Sequence, residues 1–276
     1  ICKSLYKRKS SIEGDGFSSG VVRGWGGALY GVTDRGGSAN QGVVYRLSPP
    51  VSSKSPWTYQ VIHHFKGGRD GCHPRAGLVS KADGTLYGTT DQCVTDENGT
   101  IFSLIPPAST GGKWTKRTIY ILSGGTNGSG PNELNMNKAG EIFGTTYSGG
   151  TRGYGTVFRL IAPTAGVKSW SKRTILNFDG FNGGLPSSRV TFARDGSFYG
   201  TTYGGGVVGG YGTVYEIRPV SGSPTSWRFR RLHAFQGWSS GSAPIAPVFV
   251  TNDRVLYGVT RDGGAKAWGT VYRIVP

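Results

Sequence analysis

Three sequence markers recur along this chain in one phase, and a phase-locked repeat limits its possible folds more than any single residue does. An aromatic–glycine pair stands in the segments LYGVT, LYGTT, IFGTT, FYGTT and LYGVT. Its rings are Tyr30, Tyr87, Phe143, Tyr199 and Tyr257, at intervals of 57, 56, 56 and 58 residues. A second series, GVVYRL, GTIFSL, GTVFRL, GTVYEI and GTVYRI, begins at Gly42, Gly99, Gly155, Gly212 and Gly269. Trp57, Trp114, Trp170 and Trp227 form a third.

Each unit reads as four short strands. The segment from Arg75 (RAGLVS) runs into the turn Ala82-Asp83-Gly84, where glycine accepts a positive φ without steric cost. Thr85–Thr90 follows, then a long loop, then the alternating strand that begins at Gly99. Pro106 and Pro107 end that strand, and a Trp opens the fourth. No segment sustains a 3.6-residue apolar period. A four-strand unit repeated five times without a helix predicts an all-β, five-bladed β-propeller of four antiparallel strands per blade. The blades fall at about 17–65, 74–122, 131–178, 187–235 and 245–276, in a single domain over 1–276. Leu5-Tyr6-Lys7-Arg8-Lys9 aligns with the outer strands at Thr118 and Thr174. Residues near 3–10 are therefore expected to complete the last blade, residues 1–10 closing the ring and covering a sheet edge. The competing arrangement is five blades docked without an exchanged strand.

Composition agrees with this fold class. Glycine makes up 48 of 276 residues, far above the usual share of about 7%. The 7 Trp, 14 Tyr and 12 Phe argue against disorder, because they supply the large rings a core needs. No apolar run reaches the roughly 18 residues of a membrane span, and the start ICKSLYKRKS has no apolar signal-peptide core. The start lacks Met and reads as a mature or trimmed form. The net charge of +16 favours polyanionic partners. Much of it sits on the expected outer strands, at Lys7-Arg8-Lys9, Lys116-Arg117, Lys172-Arg173, Arg228 and Arg230-Arg231. There it discourages strand addition by other chains, so the pattern carries no specific nucleic-acid signal.

Two Gly-rich loop classes are expected on one face of the blades, where rigid strands can position variable residues for function. Tyr147, Tyr154, Tyr203, Tyr211 and Trp268 line one class and Trp238 lies in the other. Exposed rings of this kind stack on sugar faces or bases. Tyr154, Tyr211 and Trp268 share one repeat position, so packing against a neighbouring blade is the plainer reading. The second blade departs most from the repeat, with Cys72, His73, Arg75, Asp91, Cys93, Asp96 and Glu97 in its loops. Cys72 and Cys93 are a candidate disulfide, or else two separate thiols. Cys72, His73 and Cys93 lack any metal-ligand spacing, and no metal is expected. Carboxylates are scarce and form no recognisable acid–base pair. An enzyme acting on uronates would use a base and cations instead, and His73, Arg75 and Asp91 are the candidates. No nucleophile elbow, phosphate loop or dinucleotide fingerprint is present, so no cofactor is expected.

The strings FYGTTYGGG…GTVYEI and IFGTTYSGG…GTVFRL, with a preceding P…LV…DG stretch, resemble the Gloeo/Verruco (GloVer) tandem-repeat family over essentially the whole chain. The resemblance implies a propeller-like repeat and an extracellular or periplasmic setting, since the family is bacterial and mostly exported. It transfers no catalytic residue, because its motif is made of scaffold positions. The second blade departs from it at Gln92-Cys93. Two functions stay open. One is a secreted, monomeric, lectin-like module binding a glycan or polysaccharide, acidic ones included. The other is a polysaccharide lyase or glycoside hydrolase with one site near the second blade.

Overall fold

The structure is a computed structural model, and it describes residues 4–52, 55–91, 98–109, 111–166, 169–206 and 209–276. The chain divides into two compact units, Ile1–Leu122 and Ser123–Pro276. Among the described residues there is no α-helix, only strands and short 3-10 turns.

Unit 1 holds two antiparallel four-stranded sheets. The first is β1 (Val22–Arg23), β2 (Leu29–Thr33), β3 (Val43–Ser48) and β4 (Thr58–His64), paired in that order. The second repeats it with β5 (Val79–Ser80), β6 (Leu86–Thr90), β7 (Thr100–Ile105) and β8 (Thr115–Ile121). Unit 2 holds three more sheets. The first runs β10 (Asn135–Met136), β11 (Ile142–Ser148), β12 (Thr156–Ile161), β13 (Ser171–Asn177), with β9 (Ser129–Pro131) added against β11. The next runs β14 (Thr191–Phe192), β15 (Phe198–Thr202), β16 (Thr213–Val220), β17 (Ser223–Ala234). The last has three strands, β18 (Phe249–Val250), β19 (Leu256–Val259) and β20 (Val271–Ile274).

The repeated residues are explained by the pairing. In every sheet the glycine after the second-strand aromatic lies opposite the third-strand ring: Gly31 with Tyr45, Gly88 with Phe102, Gly144 with Phe158, Gly200 with Tyr215, Gly258 with Tyr272. A Cβ at Gly88 or Gly144 would stand 2.5 Å from the facing ring, so the ring lies flat where a side chain would be. The glycine opening the third strand serves a different need. Gly42, Gly155 and Gly212 have φ of +93°, +91° and +97°, and a Cβ there would sit 2.7 Å from Cδ of Pro74, Pro186 and Pro244 in the following repeat. Beside it, paired threonines tie the strands together, as in Thr90–Thr100 at 2.7 Å and Thr146–Thr156 at 2.9 Å. Two of the tryptophans pack edge-on against the second-strand aromatic of the preceding sheet. Trp114 meets Tyr30 at 5.7 Å and Trp227 meets Phe143 at 5.8 Å. Buried rings and aliphatic groups such as Phe65, Leu86, Phe102 and Leu104 in unit 1, and Phe178, Phe198, Tyr215 and Ile217 in unit 2, fill the space between successive sheets.

Two expectations need correction. Described residues 4–10 form no strand, and the last sheet of unit 2 has three strands rather than four. The N-terminal segment is held inside unit 1 instead. Tyr6 stacks on Tyr59 of β4 at 4.7 Å and donates to Glu13 Oε1 at 2.9 Å, while Lys9 N donates to Glu13 Oε2 at 2.7 Å. Ring stacking and a local carboxylate offer this segment more than an exposed strand edge does. The outer-strand charges are also less uniformly solvated than expected. Lys116 and Lys172 turn inward over the Phe65 and Phe158 rings.

Candidate functional site

Each sheet has a turn end, where the first and second strands meet, and a loop end, where the second-to-third connector and the entry loop from the preceding outer strand lie. In three repeats the loop end is stitched by one non-glycine residue in the left-handed region, immediately before a proline. In unit 1 this is His73 (φ 49°), whose N–H donates to Gln41 O and whose carbonyl accepts from Asp91 N. In unit 2, Leu185 (φ 57°) and Ala243 (φ 53°) make the same two bonds, to Tyr154 and Tyr203 and to Tyr211 and Arg261. The backbone of His73 therefore belongs to the scaffold, and only its imidazole is particular to the second sheet.

That imidazole lies 2.9 Å from Asp34 O and 3.5 Å from Asp34 Oδ1. Arg75 donates from Nε to Asp34 Oδ1 at 2.9 Å and from Nη1 to Asp91 Oδ2 at 2.7 Å. The hydrogen bond that Arg75 donates to Asp34 outweighs desolvation and raises the Arg75 pKa further. The structure thus brings His73, Arg75 and Asp91 together, with Asp34 as a fourth member. The cluster is closed, because the guanidinium spans two carboxylates. Cys72 is fully buried beside it, its Sγ 3.9 Å from Asp91 O. Cys93, with Asp96 and Glu97, lies outside the described residues.

A second ion network supports the same end of unit 1. Asp70 Oδ1 is 2.8 Å from Lys116 Nζ, and its Oδ2 is 3.1 Å from His63 Nε2. Burial by itself pushes the Asp70 carboxyl up, but the bonds from His63 and Lys116 win and bring it down to about 2. The equivalent lysine in unit 2, Lys172, has Thr174 Oγ1 at 3.3 Å and the Phe158 ring as neighbours, and burial pushes it down to about 8.

The loop end of unit 2 is built from rings. Trp238 is 86% exposed and Trp268 is 85% exposed. Trp238 holds φ +45° where earlier repeats place Gly68 (φ +55°) and Gly125 (φ +52°), so a bulky side chain occupies a position suited to glycine. Its carbonyl accepts from Gly264 N at 2.6 Å, in the connector that also carries Trp268. Lys266 Nζ stands 5.9 Å from the Trp268 centroid. Tyr203 lies beneath Arg261, whose guanidinium carbon is 5.2 Å from the ring centroid, and Arg261 also grips both oxygens of Asp262. The bond to Asp262 is the main cause that raises the Arg261 pKa and lowers that of Asp262. Tyr147 and Tyr154 are partly exposed. Tyr154 packs over Gly180 and Gly184, and Tyr211 over Gly209 and Gly237, so these two rings largely serve contact between repeats. Phe181, 83% exposed in the entry loop of the fourth sheet, escaped sequence reasoning. The signal was present, since Phe181 stands at the position that Gly68, Gly125 and Trp238 hold in the other entry loops.

Among the described residues no three His, Cys, Asp or Glu side chains stand together as a metal-binding group. No helix is long and apolar enough to cross a membrane.

Comparison with solved structures places this architecture. A candidate 6-phosphogluconolactonase from Bacteroides uniformis superposes with a TM-score of 0.58 at 13% identity, over 94% of this chain and 68% of the other. The luciferin-regenerating enzyme gives 0.57 at 14% identity, over 95% and 78%. A candidate gluconolactonase gives 0.52 at 11% identity, over 92% and 73%. Identities this low bear on the fold alone, which is β-propeller-like. No curated protein matches the chain. The pattern of the Gloeobacter/Verrucomicrobia repeat matches residues 17–272, nearly the full length. The chain therefore belongs to the Gloeobacter/Verrucomicrobia repeat family.

Proposed function

We propose that the protein is a secreted, lectin-like carbohydrate-binding module, its five sheets forming the blades of one propeller, and that it grips glycans through the rings at the loop end of unit 2. The observation that carries this reading is Trp238. A left-handed backbone costs a bulky residue on the order of 1 kcal/mol, and such strain is retained where a side chain has work to do. Here the side chain stands in solvent, where it adds little to the fold. Exposed indoles and phenyl rings present flat apolar faces to sugar rings. The Arg261–Asp262 pair beside Tyr203 supplies fixed donors and acceptors for hydroxyl groups.

The closed Asp34–His73–Arg75–Asp91 cluster favours binding over catalysis. Arg75 is committed to two carboxylates, so it is poorly placed to neutralise a uronate in a lyase or hydrolase reaction. The strong positive charge suits an acidic glycan and a monomer kept apart by repulsion. In an extracellular or periplasmic setting Cys72 and Cys93 would form a disulfide. Mass analysis of the unreduced protein tests that pairing, and two free thiols would rule it out. A glycan array with the wild type and Trp238→Gly tests the function. The expected result is binding to at least one glycan, weakened roughly tenfold by the substitution. Absence of binding to any glycan would sink the reading.

A further inference from the structure

A separate feature lies at the opposite end of unit 1. Between its two sheets, at the turn end, is a pocket of about 380 Å³. Trp25, Tyr30 and Trp114 form its ring-lined walls, Pro106 contributes to the wall, and Arg46 and Asp83 supply the charged groups. The volume suits a ligand of roughly one or two sugar rings.

The repeat shows which of these residues the scaffold needs. Trp114 and Tyr30 occupy scaffold positions, and their edge-on contact recurs in Trp227 and Phe143. Trp25 does not. Its equivalents are Ala82, Lys138, Arg194 and Asn252, yet here a tryptophan stands 79% exposed at the mouth of a pocket. Arg46 differs in its pairing from its equivalent in the third sheet. Its equivalent Arg159 is neutralised by Glu141 at 2.8 Å. The position equivalent to Glu141 in the first sheet is Ala28, which offers no charge. Among the described residues no carboxylate pairs with Arg46, and its Nε is buried without a hydrogen-bond partner. A buried donor left unpaired is costly, and a ligand acceptor would remove that cost. Asp83 is half-committed, accepting from Thr85 N at 2.9 Å and lying 3.3 Å from Lys81 Nζ. Its exposed remainder can accept from hydroxyl groups.

We propose that this turn-end pocket binds a uronic acid residue, with the sugar face stacked on Trp25 and Trp114, the carboxylate on Arg46, and ring hydroxyls donating to Asp83. A flat apolar face, one anionic group and hydroxyl donors are together the properties of a sugar acid. The proposal does not depend on the loop-end reading, because that reading rests on Trp238 and the rings of unit 2, none of which lines this pocket.

Oligogalacturonate is the probe, titrated by calorimetry against the wild type and three variants whose folding is checked by thermal melting. Trp25→Ala and Arg46→Ser install the residues that the second sheet carries at the same positions, Ala82 and Ser103, so both are compatible with the scaffold. Each is expected to weaken binding roughly tenfold or more. The methyl-esterified oligomer, which keeps the ring and loses the charge, should bind the wild type no better than the acid form binds Arg46→Ser. Trp238→Gly at the loop end of unit 2 should leave oligogalacturonate binding at this pocket unchanged. Oligogalacturonate affinity unaffected by Trp25→Ala and Arg46→Ser overturns the proposal, as does its loss in Trp238→Gly alone. Tighter binding of benzoate than of galacturonate would overturn the assignment to a sugar. A negative glycan result at Trp238 together with a response at Trp25 would remove the loop-end function and leave this site standing.

Discussion

The two units carry the same repeat but treat its loop end in opposite ways. In unit 1 the charged side chains close on one another, through Asp34–Arg75–Asp91 and through His63–Asp70–Lys116. In unit 2 the corresponding loops hold exposed rings, and the buried lysine faces a hydroxyl and a phenyl ring. A residue type therefore says little about role until its partner is known. Lys116 and Lys172 are one repeat apart and both lie under desolvation, but only Lys116 has a carboxylate within 3 Å.

The comparison can be broken first at what the units share. If one scaffold underlies both, Gly88→Val and Gly144→Val should each cost about 3 kcal/mol, because the new side chain meets a buried ring. Chemical denaturation of each variant measures this, and a loss confined to one unit would show that the glycine–aromatic pairing is not a common support.

The lysines provide the next test. Lys116→Met should destabilise by about 2 kcal/mol, since it removes the closest cation from Asp70. Lys172→Met should stabilise by a similar amount, about 2 kcal/mol at neutral pH. The folded pKa of Lys172, about 8, lies below its unfolded value of 10.5. Its burden is thus complete below pH 8 and fades as pH rises towards 10.5, so wild-type stability should climb across that window. A flat pH profile there, or destabilisation by Lys172→Met, would contradict the contrast.

In acid the asymmetry reverses. Asp70 has its carboxyl held at about 2, below an unfolded value of 3.8. Its contribution, on the order of 2 kcal/mol, is present above about pH 4 and lost as pH falls through about 2. Urea melts between pH 5 and 2 should show this loss in the wild type and not in Asp70→Asn. The smallest effect belongs to Trp238→Gly, which should raise stability by about 1 kcal/mol or less by relieving a left-handed tryptophan. A clear loss of stability would mean that the indole supports the loop rather than a ligand.

Much of the sheet framework was legible in the chain, because the second, third and fourth strands of a unit carry marker residues whose spacing repeats. The all-β class, the strand order and the turn at Ala82-Asp83-Gly84 follow from alternation and turn chemistry. The clustering of His73, Arg75 and Asp91 was also legible, since their loops meet at one end of the second sheet. Their closure into an ion network was not, because it needs Asp34 from the first sheet. The N-terminal segment misled for a related reason. Leu5-Tyr6-Lys7 has the alternation of an outer strand, but Tyr6 found Tyr59 and Glu13 instead. Trp25 passed unnoticed because it falls in a turn that other repeats fill with Ala82, Lys138, Arg194 and Asn252.

By itself, the amino-acid sequence determined the period, the strands and the glycine and threonine positions, all set by interactions within one repeat or between repeats in register. Tertiary structure alone decided which charges are answered. Arg159 meets Glu141 across a strand pair, while Arg46 at the same position has Ala28 in place of that carboxylate, and its Nε is buried without a partner beside the pocket. The reason is physical. Backbone pairing depends on local geometry that every repeat copies, whereas the worth of a buried charge depends on a neighbour that the repeat need not supply.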